Sequence, residues 1–214
     1  MRFATLNRPL STIALAFLLL ATNATAQKAK KPAADYFPLR VEDSWTYRNT
    51  ADNSQYTLKV LSEEKQEDGS IRYLVEMRAG AQVHKLFSKP AGSVLLHMER
   101  FPEHEGLEIK YEPPRQYLQN PLVAGFKWQW SGKDYTHMDF AEENRVVGFE
   151  NVTVPAGKFR AMKIVSQVTG AAHPMTKTYW YADGVGMVKT TTEAGPTKYG
   201  SELVDYSFKK AVKK

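Results

Sequence analysis

The sequence predicts a mainly β protein: a curved antiparallel sheet, folded as a half-barrel or a sandwich, with few short helices. Three observations lead there. From Tyr36 onward, apolar and polar residues alternate with a period of two in segment after segment. Short clusters of Gly, Pro, Asp and Asn separate those segments. No long stretch carries the 3.6-residue period of an amphipathic helix.

The elements follow in order. Ser44 to Arg48 and Gln55 to Leu61 alternate, the latter with Tyr56, Leu58 and Val60 on one face. Glu67-Asp68-Gly69-Ser70 is a turn signal, and Ile71 to Met77 resumes the strand pattern with Tyr73, Val75 and Met77 aligned. Val83 to Phe87 and Val94 to Met98 flank the turn Lys89-Pro90-Ala91-Gly92, and Leu107 to Tyr111 follows. Pro113-Pro114 then predicts a break, because neither residue can donate to a ladder. In the second part Trp128–Trp130, Val146–Val154, Phe159–Val168, Thr178–Tyr181, Met187–Thr192 and Tyr199–Phe208 read as strands. The pattern leaves room for one short helix, at Leu39–Asp43 or near 116–120.

The chain also echoes itself. Pro38-Leu39 stands ahead of Trp45 and Tyr47; Pro121-Leu122 stands at the same spacing ahead of Trp128 and Trp130. The shared form, P-L-x5-W-x-aromatic, recurs 83 residues later. It predicts a single β domain over 36–208 built from two duplicated halves, 36–112 and 117–208.

Residues 1–26 read as a secretory signal peptide: Arg2 and Arg8, the apolar run TIALAFLLLA at 12–21, and the small-x-small end Ala24-Thr25-Ala26. Ten apolar residues rise about 15 Å as a helix, roughly half a hydrocarbon core, which argues against a membrane anchor. There is no cysteine. Disulfides, thiolate metal sites and a lipid-modified N-terminal cysteine are thereby ruled out for this sequence. The expectation is an exported protein of an oxidising compartment, most simply a bacterial periplasm, with no stable membrane insertion.

The net charge is +6, and it falls to +4 once Arg2 and Arg8 leave. Seven lysines sit in a basic leader (27–35, expected to be disordered) and a basic tail (209–214), and without those seven the exported chain carries −3. That distribution is a mildly acidic body with solvated ends and argues against nucleic acid as a partner.

No constellation for catalysis emerges, so no catalytic, cofactor or metal residues are expected. VTVPAGKFRAMKIV at 152–165 has a single glycine and continues in β-branched residues, which makes Pro155–Lys158 a hairpin turn rather than a phosphate loop. WYADGVGMVK at 180–189 has a turn pair, Asp183-Gly184, and then a strand; a dinucleotide fingerprint needs a third glycine and a helix. The five histidines make no close ligand pair, and no serine sits in a nucleophile elbow.

Aromatics make up 12% of the chain, and that is enough to raise the question of a lined hollow. The candidate lining is Trp45, Tyr47, Trp128, Trp130 and Trp180. Trp180 and Tyr181 point to opposite faces, so only one of them can face a hollow. The sequence therefore points to a non-enzymatic binding or envelope-assembly domain that holds an apolar small molecule or acyl chain, or meets an envelope protein. The rival reading is an interaction protein that docks through sheet edges and basic tails.

Three motifs carry a resemblance: Tyr36-Phe37-Pro38-Leu39 with Trp45 and Tyr47, then Val154-Pro155-Ala156-Gly157-Lys158-Phe159, then Trp180 to Lys189. Together they resemble a group of uncharacterised exported bacterial proteins, β-rich domains of unknown function. The resemblance implies a shape related to the half-barrels of periplasmic lipoprotein carriers, and it supplies no catalytic residues. The sequence departs from the pattern at Glu42-Asp43, where a glycine is often expected before the tryptophan; the second copy keeps Gly125. The long covering helices of the carriers have no counterpart here, which weighs against carriage of a lipid.

Overall fold

The computed structural model describes residues 1, 33–133, 138–170 and 174–208; the expected signal peptide, most of the leader and the basic tail lie outside them. The described chain forms one antiparallel sheet of twelve strands. These are β1 Ser44–Asn49, β2 Gln55–Lys65, β3 Ile71–Ala79, β4 Ala81–Ser88, β5 Gly92–Arg100, β6 Glu108–Asn120, β7 Lys127–Lys133, β8 Asp139–Val154, β9 Gly157–Thr169, β10 Met175–Ala182, β11 Gly186–Ala194 and β12 Thr197–Ser207. Each strand pairs with its sequence neighbour, except that β6 and β7 are not laddered to each other and β1 pairs with β12. The sheet thus curls into a nearly closed barrel, with β6 and β7 as its two edges.

Alternation decides which side is inside. Along β8, Glu142, Asn144 and Val146 are buried while Glu143 and Arg145 between them are exposed. Along β2 and β8, Val60 and Val146 are fully buried, each contributing about 1.5–3 kcal/mol. The mainly β, curved antiparallel reading of the sequence is the observed fold, and the curvature goes well past a half-barrel.

Two local expectations give way. Among the described residues there is no helix: 41–42 is a turn, and 116–120 belongs to β6. Pro113-Pro114 does not break the chain, because β6 runs through it. The β5–β6 register jumps from Leu96↔Arg115 to Met98↔Lys110, so both prolines sit in a bulge of an edge strand, where no ladder donor is needed. Six strands consequently precede the connection at 121–126 and six follow it.

The sequence echo has a backbone counterpart. In the first copy the Glu42 amide donates to Val60 O, the Val60 amide to Asp43 O and the Asp43 amide to Arg40 O, each at 2.9 Å. In the second copy the Gly125 amide donates to Val146 O at 2.9 Å, the Val146 amide to Phe126 O at 2.9 Å and the Phe126 amide to Val123 O at 3.1 Å. A bulge then follows Val60 in β2 and Val146 in β8. Glu42 has φ 77° and Gly125 φ 85°. The position that departs from the family pattern therefore keeps the left-handed backbone that glycine adopts without cost.

Side chains close the gap between β6 and β7. Trp128 Nε1 donates to Gln116 O at 3.0 Å, and Trp130 Nε1 donates to Pro113 O at 3.2 Å. The ring of Trp130 meets Tyr111 edge-on at 5.6 Å. Arg115 on β6 reaches past β7 to the buried Glu142 on β8, with Nε 2.9 Å from Oε2.

Candidate functional site

The barrel interior contains a cavity of about 570 Å³. That is within the roughly 300–1,000 Å³ usual for small-molecule sites. Its walls are mostly aromatic and aliphatic: Trp45 and Tyr47 of β1, Tyr56 and Leu58 of β2, and Tyr179 and Tyr181 of β10 among them. Lys85, Lys177, Thr190 and Thr192 add polar groups.

The segment before β1 straps one end of the barrel. Asp35 is its anchor. Lys89 Nζ donates to both Asp35 oxygens at 2.8 and 2.7 Å and to Phe37 O at 2.9 Å. Asn120 Nδ2 donates to Asp35 Oδ1 at 3.0 Å. The Asp35 amide donates to Asp183 Oδ1 at 2.8 Å, and the Gly184 amide donates to Asp35 O at 2.7 Å. Burial opposes ionisation of Asp35, but the Lys89 and Phe37 hydrogen bonds outweigh it and lower its pKa below the usual carboxylate value. Phe37, Pro38 and Leu39 then form the cavity wall at this end. The Asp183-Gly184 pair is thus a turn that receives the strap.

A polar row crosses the opposite stretch of the barrel, with Lys177, Thr192 and Tyr199 on the cavity wall and Asn144 and Ser166 buried beside it. Asn144, Ser166, Lys177, Thr192 and Tyr199 are directly paired across β8, β9, β10, β11 and β12, so they share the inward face. Ser166 Oγ is buried with no hydrogen-bond partner among the described residues. Near this row Lys85 Nζ holds Glu99 at 2.7 Å and Arg115 holds Glu142. Burial pushes the phenols of Tyr47, Tyr179 and Tyr181 well above or above their ordinary value, so they stand in the interior as neutral hydroxyls. Tyr47 OH donates to Met187 O at 2.8 Å, and Trp45 Nε1 donates to Val185 O at 2.7 Å.

The five aromatics named from sequence separate into three places. Trp45 and Tyr47 are on the cavity wall. Trp128 and Trp130 are buried and fasten the β6–β7 edges; neither is a wall residue of this cavity. Trp180 is on the other face of β10: its Nε1 donates to Glu150 Oε2 at 3.0 Å and Lys163 Nζ lies 5.3 Å from its ring centroid. Placing Trp180 in the lining is thus corrected, since Tyr179 and Tyr181 face the cavity and parity turns Trp180 outward. Sequence reasoning left out Lys177 and Tyr117, both wall residues. The parity of Lys177 with Tyr179 and Tyr181 was the available signal.

Among the described residues no group of three or more His, Asp or Glu side chains could hold a metal ion.

Residues 107–198 match the family model described as DUF3108-like. The matched stretch runs from the start of β6 into β12 and carries the fastened edges, the Arg115–Glu142 pair and Lys177. The match agrees with the β-rich exported family that the motifs resemble. Two solved structures share the fold. One is an inferred exported protein with a YmcC-like fold from Bacteroides fragilis, 15% identical, with TM-score 0.52, covering 82% of this chain and 100% of its own. The other is an inferred lipoprotein from Parabacteroides distasonis, 13% identical, with TM-score 0.51, covering 83% of this chain and 100% of its own. No curated protein matches significantly.

Proposed function

We propose that this chain is an exported, non-enzymatic binding or envelope-assembly domain that holds an apolar ligand inside its barrel. The observation that carries this reading is the interior cavity of about 570 Å³ with its aromatic and aliphatic wall. Closure of the sheet supplies the cover that a half-barrel obtains from helices, so the lack of helices no longer weighs against carriage. An export role is supported by the signal-like N-terminus and by the inferred exported and lipoprotein descriptions of the two proteins of like fold.

The faces support a body that works in water. The inward face is apolar and aromatic apart from one polar stretch around Lys177, while outward positions carry pairs such as Arg48–Glu202 and Arg78–Glu76. A membrane-spanning barrel shows the reverse order. Docking through free sheet edges is the less favoured reading, because the two edges are fastened to each other.

The test is solvent extraction and mass spectrometry of protein purified from the periplasm, together with titration of the neutral fluorophore N-phenyl-1-naphthylamine. The expected result is saturable fluorescence enhancement that a wall-filling Leu58→Trp substitution removes. A protein that yields no extractable ligand and leaves the fluorophore dark overturns the reading.

A further inference from the structure

The cavity has two chemically different ends. Near the strap it is bounded by Phe37, Pro38, Leu39, Trp45 and Gly186. Lys177 lies five residues back along β10 from Ala182 at the strap end, which is about 16 Å of strand. At that level Thr192 stands on the wall beside Lys177, and the buried Ser166 pairs with Lys177 from the other side.

The charges around Lys177 do not balance. The nearby cations are Lys85, Arg115 and Lys177; the carboxylates are Glu99 and Glu142. Glu99 is held by Lys85 at 2.7 Å with Tyr111 OH donating to its other oxygen at 3.3 Å, and Glu142 is held by Arg115. Among the described residues no carboxylate lies within ion-pair distance of Lys177. Lys177 is half-buried, and an ammonium partly withdrawn from water without a carboxylate partner is costly. Burial is the leading cause lowering the Lys177 pKa. Beside it, Ser166 Oγ is a buried hydroxyl with no partner among the described residues.

We propose that the ligand is a single-chain amphiphile with a carboxylate head, received by Lys177 beside the Thr192 hydroxyl while its apolar chain runs toward the strap. This rests on the reading of the barrel as an apolar-ligand carrier and adds the identity of the head group. One ammonium and one neighbouring hydroxyl match one negative charge and its lone pairs. A dianionic phosphate calls for a second cation, and Lys85 and Arg115 are already engaged.

The experiment displaces bound N-phenyl-1-naphthylamine with palmitate and, separately, with 1-hexadecanol. The chains are equal in length, so the head group alone differs. Wild-type protein is expected to release the fluorophore at about ten-fold lower palmitate than hexadecanol, the size of one charge-assisted contact. Lys177→Met removes that preference and Lys177→Arg keeps it, with circular dichroism confirming the fold of each. Equal displacement by acid and alcohol in the wild type overturns the proposal without relying on any variant, and it leaves the apolar-carrier reading standing. Displacement by neither chain also overturns it. Failure of the fluorophore itself to bind removes both readings.

Discussion

Glu42 holds φ at 77° in the turn that enters β1, and its counterpart Gly125 holds 85° in the turn that enters β7. A side chain in that region costs about 1–2 kcal/mol, part of which glycine returns as unfolded-state entropy. The Glu42–Lys59 ion pair at 2.9 Å is half-exposed and offsets little. Glu42→Gly should therefore raise stability by about 0.5–1 kcal/mol in urea unfolding, and Gly125→Ala should lower it by at least as much. A neutral or destabilising Glu42→Gly would show that the turn is not strained. This position was legible in the sequence as a departure from the family pattern. The hollow face of β10 was not: both of its faces carry aromatics, so parity separated Trp180 from Tyr181 without saying which side was inside.

At the scale of elements, the β6–β7 junction differs from every other neighbour pair. Two indole N–H groups and the Arg115–Glu142 pair fasten it, where the other pairs have a backbone ladder. Each indole hydrogen bond contributes about 1 kcal/mol. Trp128→Phe with Trp130→Phe should speed hydrogen exchange in β6 and β7 while leaving β1 and β12 protected. A uniform change across the sheet would mean the indoles act only through the core. Alternation and turn residues made almost every strand readable, because those signals are local. The passage of β6 through Pro113-Pro114 was hidden because proline blocks a ladder only when its missing N–H is needed, and an edge bulge does not need it. The β1–β12 ladder was hidden because parity assigns a face and says nothing about a neighbour that is most of the chain away.

Across the whole molecule, acid should act in two stages. Burial, aided by repulsion from Arg72, lowers the His97 pKa to about 4, against about 6.5 in an unfolded chain. The unfolded state then binds more protons between those values, so stability is full above pH 6.5 and falls as the pH drops toward 4. Asp35 also has a lowered pKa. Its contribution is present above the unfolded carboxylate value of about 3.9 and is lost as the pH falls further, which releases the strap. Urea midpoints measured against pH should show the upper slope flattened in His97→Gln and the lower one reduced in Asp35→Asn. An unchanged upper slope in His97→Gln would assign the acid sensitivity elsewhere.

In a barrel whose strands are all laddered, strand number and stagger fix the radius. Here eleven ladders leave one junction to side chains. The girth of this barrel is therefore not quantised by hydrogen-bond register. Widening or narrowing it would cost two indole hydrogen bonds and one ion pair, and no backbone pair of the eleven ladders.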